Sequence, residues 1–60
     1  MKRRDLIREI EKIGCIFLRH GAKHDWYHNE ATKASQPVPR HSEIQEHLAR
    51  HIIKMLKNDS

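Results

Sequence analysis

Apolar residues recur at helical spacing near both ends of the chain and fall in short strand-like runs between them. Leu6, Ile7, Ile10 and Ile13 repeat every three or four positions, with charged residues on the other face. Asp5 suits the first turn of such a helix and Lys12 its last, where the backbone dipole favours an anion and a cation respectively. Gly14 follows as a residue that tolerates φ > 0, so the first helix is expected over about residues 3–13. Cys15-Ile16-Phe17-Leu18-Arg19-His20 is rich in strand formers and stops at Gly21, which predicts a strand. A second strand is expected over His24-Asp25-Trp26-Tyr27-His28, then a polar turn from Asn29 to Ala34. A short third strand runs from Ser35 to Arg40, and its Pro37 and Pro39 place it at a sheet edge because proline donates no ladder hydrogen bond. Ser42-Glu43-Ile44-Gln45 fits a capping box with Ser42 as N-cap. Ile44, Leu48, Ile52 and Met55, with Ala49, Ile53 and Leu56 beside them, form a broad apolar stripe that predicts a helix over about 43–57. The tail Asn58-Asp59-Ser60 is expected to fray.

The resulting order is α-β-β-β-α, an α+β fold. Two helices can cover one face of a three-stranded antiparallel sheet and leave the other open to a polymer or a second protein. Sixty residues allow one domain, spanning 1–60. Such a chain buries only about 60% of the surface its unfolded form exposes, so its core is thin and a deep cofactor pocket is not expected. The longest apolar run, Cys15 to Leu18, is four residues, against the roughly 20 that a membrane-spanning helix needs. Lys2, Arg3 and Arg4 are not followed by the apolar stretch of a secretory signal. A single cysteine cannot form an internal disulfide, which suits a cytoplasmic setting.

Charge adds a partner. Twelve Lys and Arg against eight Asp and Glu give +4, and six histidines could add to it in mild acid. A basic domain of this size attracts polyanions, of which nucleic acid is the commonest. Gly21-Ala22-Lys23-His24-Asp25-Trp26 then sets an imidazole among cations at the mouth of the expected hairpin. Cleaving RNA through its own 2′-OH needs a base for that proton, an acid for the leaving 5′-oxygen, and positive charge at the phosphate. Histidine suits either proton role, and Arg19, Lys23 and Arg40 could supply charge without a metal. Asp25 could orient an imidazole, but as the strand neighbour of His24 it should point to the opposite face, so it carries little of this reading. Arg40 and His41 precede the expected start of the second helix, where free amides favour a phosphate. Alternation groups His24, Trp26 and His28 apart from Asp25 and Tyr27, and whichever of Trp26 and Tyr27 faces outward could stack on a base. His20 and His28 flank the hairpin as alternatives for a second proton role or as plain surface residues.

The chain resembles the HicA toxin family of bacterial type II toxin–antitoxin systems. The resemblance is carried by Arg4-Asp5-Leu6-Ile7 and Gly14, by Gly21-Ala22-Lys23-His24-Asp25-Trp26-Tyr27, by Val38-Pro39-Arg40-His41-Ser42-Glu43-Ile44, and by Ile52-Ile53-Lys54-Met55-Leu56. It implies a double-stranded-RNA-binding-domain-like fold, ribonuclease activity on mRNA without a cofactor, and neutralisation by a HicB antitoxin, with a monomeric toxin inside a larger heteromeric complex. It also implies that the single catalytic histidine of the Gly-x-x-His segment is His24. Many relatives read Gly-Ser-His-His where this chain has Gly21-Ala22-Lys23-His24.

Two other classes compete. A non-catalytic RNA-binding module would share the basic surface, and a protein-interaction domain would have no RNA affinity. A metal site is weaker still. His20, His24 and His28 are spaced by four and His47 and His51 form a helical pair, yet Gly21 interrupts the first series and no paired Cys-x-x-Cys or His-Glu-x-x-His order is present.

Overall fold

The computed structural model describes residues 1–57. Helix α1 spans Arg3–Lys12, followed by strands β1 (Cys15–His20), β2 (His24–Asn29) and β3 (Ala34–Pro39), and then helix α2 (Glu46–Lys57). The strands form one antiparallel sheet in the order β1-β2-β3. This is the expected α-β-β-β-α layout, consistent with a double-stranded-RNA-binding-domain-like fold. The tail expected to fray lies outside the described residues.

Both helices pack on one face of the sheet. Leu6 and Ile10 of α1 meet Ala49, Ile52 and Leu56 of α2 over Cys15, Tyr27 and Val38, with Ile44 closing the core. Asp25, Tyr27 and Asn29 of β2 point into this side, whereas His24 is exposed and Trp26 and His28 are half-buried. The grouping expected from alternation therefore holds, and Tyr27 is the core member of the aromatic pair. Burial raises the pKa of the Tyr27 hydroxyl and of the Cys15 thiol, which is free and buried.

The second helix departs from expectation at its start. Residues 42–45 are not helical, so the capping box does not form. The segment pairs with the beginning of the chain instead. The Arg3 amide donates to the Ser42 carbonyl (2.9 Å), the Ile44 amide to the Met1 carbonyl (2.7 Å), and Lys2 bridges Glu43. Gln45 takes the N-cap place, its carbonyl accepting the first helical bond from Ala49 at 2.9 Å. The buried stripe shifts accordingly to Ala49, Ile52 and Leu56, leaving Leu48 and Met55 at its exposed margins.

Two turns fix the ends of the elements. Asn29 and Thr32 both donate side-chain hydrogen bonds to the Leu56 carbonyl (2.8 and 3.1 Å), tying the β2–β3 turn to the last turn of α2. Gly14 terminates α1 at φ 95°, with its amide donating to the Glu11 carbonyl at 3.0 Å. A Cβ built on Gly14 meets nothing within 4 Å, so only backbone conformation opposes a side chain there. Gly14→Ala should therefore destabilise the protein by about 1–2 kcal/mol, the cost of a left-handed non-glycine residue, without changing the fold. Urea unfolding of the two proteins checks this, and an unchanged midpoint would refute it.

Candidate functional site

The hairpin mouth is shaped by a bulge in β1. Cys15, Ile16 and Phe17 pair with Asn29, His28 and Tyr27 in regular register, but Arg19 pairs with Trp26 and His20 with Asp25. Leu18 is the extra residue. One inserted residue exchanges the faces of everything beyond it. Arg19 is thereby turned onto the side of Trp26, with its guanidinium carbon 5.3 Å from the ring centroid. His20 is turned onto the side of Asp25.

Asp25 is the hub of the site. Its Oδ1 accepts from Arg40 Nε at 2.9 Å and lies 2.8 Å from His20 Nδ1, while Oδ2 accepts from Arg3 Nη2 at 2.7 Å. The carboxylate side chain is 13% exposed, and the His20 ring bonded to it is 72% exposed. Hydrogen bonds from His20 and Arg40 hold the Asp25 carboxyl below its ordinary pKa of 3.8. Arg3 also donates from Nε to the Pro39 carbonyl at 2.8 Å, and Arg40 from Nη2 to the Gly21 carbonyl at 2.8 Å. One carboxylate thus joins α1, β1 and the exit of β3, and Arg40 carries the connection to the hairpin turn.

Gly21 shapes that turn by close approach. Its amide donates to the His24 carbonyl at 2.6 Å. A Cβ at this position would stand 3.0 Å from Trp26 Nε1 and 3.1 Å from the His24 carbonyl oxygen, so a side chain would displace the indole or the turn.

The residues singled out from sequence are placed as follows. His24 is exposed at the start of β2, and Lys23 is exposed beside it on the turn. Arg19 lies on Trp26, on the open face. Arg40 is engaged with Asp25 and Gly21, so much of its hydrogen-bonding capacity is structural. His41 is exposed just past Arg40, in a stretch that precedes the helix by several residues instead of capping it. His28 is not part of the corner, because its Nδ1 lies 2.8 Å from Ser35 Oγ across the β2–β3 ladder. Among the described residues no three His, Cys, Asp or Glu side chains come together to hold a metal. Nor is any helix among them long and apolar enough to cross a membrane. A shallow cleft lined by Lys2, Arg3, Arg4, Arg40, Ser42 and Glu43 extends from the hub along the start of α1.

Asp25 is the residue whose part the sequence did not reveal. It does point away from His24, as alternation requires, but its partner is His20 across the ladder. The available signal was the pair of charges flanking the Gly21 turn, His20 and Asp25, and only the register joins them.

The fold and this corner define a small α+β domain with an exposed imidazole in a basic hairpin. A family model described as HicA toxin of bacterial toxin–antitoxin matches residues 3–57, and the chain belongs to that family. It is accordingly a toxin of a toxin–antitoxin system. No curated protein and no solved structure matches the chain.

The depressed pKa of Asp25 fixes a pH dependence. Its ionised form contributes stability that is complete above the unfolded-state value near 4 and is lost as pH falls through the lower folded-state value. Wild type should exceed Asp25→Asn in stability at neutral pH, with the gap narrowing only below about pH 4. Unfolding midpoints measured in urea from neutral to acid pH test this, and a gap constant over the whole range would contradict it.

Proposed function

We propose that the chain is a metal-independent endoribonuclease that cleaves mRNA, that His24 transfers a proton in the reaction, and that a HicB-type antitoxin inhibits it in the cytoplasm. The observation that carries this reading is an exposed imidazole at the hairpin mouth of a HicA-family chain, set among Arg19, Lys23 and Arg40. The RNA 2′-oxygen attacks the adjacent phosphorus, and an imidazole is the group at this corner suited to move its proton near neutral pH. Lys23 and Arg40 Nη1, which makes no hydrogen bond among the described residues, offset phosphate charge, with His41 next in the chain after Arg40. Arg19 covers one side of the Trp26 ring, so a base at this site stacks on the Arg19–Trp26 pair, a contact worth about 1–3 kcal/mol. The cleft beside Lys2 and Arg4 continues the backbone track. An antitoxin that covers His24 or presents acidic residues to these cations would exclude RNA from the corner.

The test uses purified protein and labelled RNA in EDTA. Wild type should cut the RNA and leave 2′,3′-cyclic phosphate or 3′-phosphate ends. His24→Ala should lose at least about 100-fold in rate, the scale of a lost proton-transfer group, while keeping its circular dichroism and RNA affinity. Undiminished cleavage by a folded His24→Ala would remove His24 from the mechanism. RNA that wild type binds but leaves intact would make the domain a binding module.

A further inference from the structure

The geometry points to His20 as a second catalytic residue, the general acid that protonates the leaving 5′-oxygen, with Asp25 as its positioning residue. This rests on the ribonuclease reading above and supplies the proton carrier that reading lacks.

Cleavage by internal attack moves two protons at two places. The 2′-oxygen bonds to phosphorus and gives its proton to a base. The P–O5′ bond breaks, and the 5′-oxygen takes a proton from an acid, leaving a 2′,3′-cyclic phosphate and a 5′-hydroxyl with no change of oxidation state. Entering and leaving oxygens lie in line on opposite sides of the phosphorus. Base and acid must therefore approach the phosphate from opposite sides.

The hairpin mouth presents one imidazole on each face of the sheet. His24 starts β2 on the open side of the sheet, and His20 ends β1 on the Asp25 side, because the Leu18 bulge has turned it there. The turn between them is closed by the 2.6 Å bond from the Gly21 amide to the His24 carbonyl. Cross-strand spacing puts the two Cα atoms roughly 6 Å apart. A phosphate lying across the end of the hairpin meets one ring from each face.

The two rings differ in what holds them. His20 Nδ1 lies 2.8 Å from Asp25 Oδ1, so the ionised carboxylate fixes Nδ1 as the donor and leaves Nε2 as the proton-exchanging atom. That ring is 72% exposed, and it rests against Phe17 with centroids 4.8 Å apart. Asp25 gives an imidazolium at His20 a counter-ion held in place by Arg3 and Arg40. His24 has no carboxylate at ion-pair distance among the described residues, and its neighbour on the turn is Lys23. The ring with a carboxylate at 2.8 Å suits the acid, and the ring beside Lys23 suits the base. Among the described residues no other histidine pairs with a carboxylate.

The test compares an RNA oligonucleotide with a mapped wild-type cleavage site and the same oligonucleotide carrying sulfur in place of the 5′-oxygen of that bond. A thiolate leaves without a proton, so a lost general acid is not missed on the second substrate. His20→Asn keeps an amide donor within reach of Asp25 but has no group that titrates, and His20→Gln is the second variant should the first unfold. Either should be slower by at least about 100-fold on ordinary RNA and return to within about 10-fold of wild type on the sulfur substrate. His24→Ala should be slow on both. Wild-type rates on ordinary RNA by a His20 variant, or equal losses on both substrates, would overturn the assignment and leave the ribonuclease reading standing. Failure of wild type to cut either substrate would overturn both.

Discussion

The Asp25 carboxylate is the constraint on which the rest of the corner depends. A 60-residue chain has too little core to hold its loops by apolar burial alone. Here an anion that is mostly withdrawn from water takes hydrogen bonds from three elements that are far apart in sequence: Arg3, His20 and Arg40. Because its two oxygens are satisfied by cationic donors, the network is stable only as a unit. Loss of either arginine leaves an undercompensated anion, which costs more than the pair itself contributes. Arg40 extends the same network to the Gly21 carbonyl, so the conformation of the His24 turn is set from the helix-covered side of the sheet.

The His20 arm of this network was invisible in sequence because it depends on a bulge. Strict alternation in β1 places Cys15, Phe17 and Arg19 on one face, which would set Arg19 rather than His20 beside Asp25. The single extra residue at Leu18 reverses this and produces both the Arg19–Trp26 contact and the His20–Asp25 contact. A bulge of this kind has no composition signal in Ile16-Phe17-Leu18. All three side chains are strand formers, and all three are about half exposed. In β2 and β3, where the register is regular, alternation sorted His24, Trp26 and His28 from Asp25 and Tyr27 correctly.

The same division runs through the helices. Helix α1 was legible because its signals are local: an apolar period, an acid early, a base late, and glycine at the end where φ reaches 95°. The start of α2 was not, because Ser42-Glu43-Ile44 has a competing non-local partner in residues 1–3. Backbone hydrogen bonds to the chain start outweighed a side-chain cap worth about 1 kcal/mol. Ile44 still entered the core, but from an extended segment, which is why the helical stripe shifted to Ala49, Ile52 and Leu56.

Net charge was the coarsest of the sequence signals, and the ion pairs refine it. Arg3 and Arg40 are engaged by Asp25, while Arg8, Lys12 and Arg50 meet Asp5, Glu9 and Glu46 on the helix surfaces. Exposed pairs of the latter kind contribute about 0–1 kcal/mol each and are screened by salt. The cations near the hairpin and the start of α1 without a carboxylate at ion-pair distance among the described residues are Lys2, Arg4, Arg19 and Lys23. On the proposed reading, attraction for RNA at this corner rests mainly on these four, whereas Arg40 acts first on the fold. Lost RNA affinity in an Arg40 variant is consequently ambiguous, since the turn that presents His24 loosens with it. Lys23, which makes no side-chain hydrogen bond or ion pair among the described residues, reports phosphate contact without that complication.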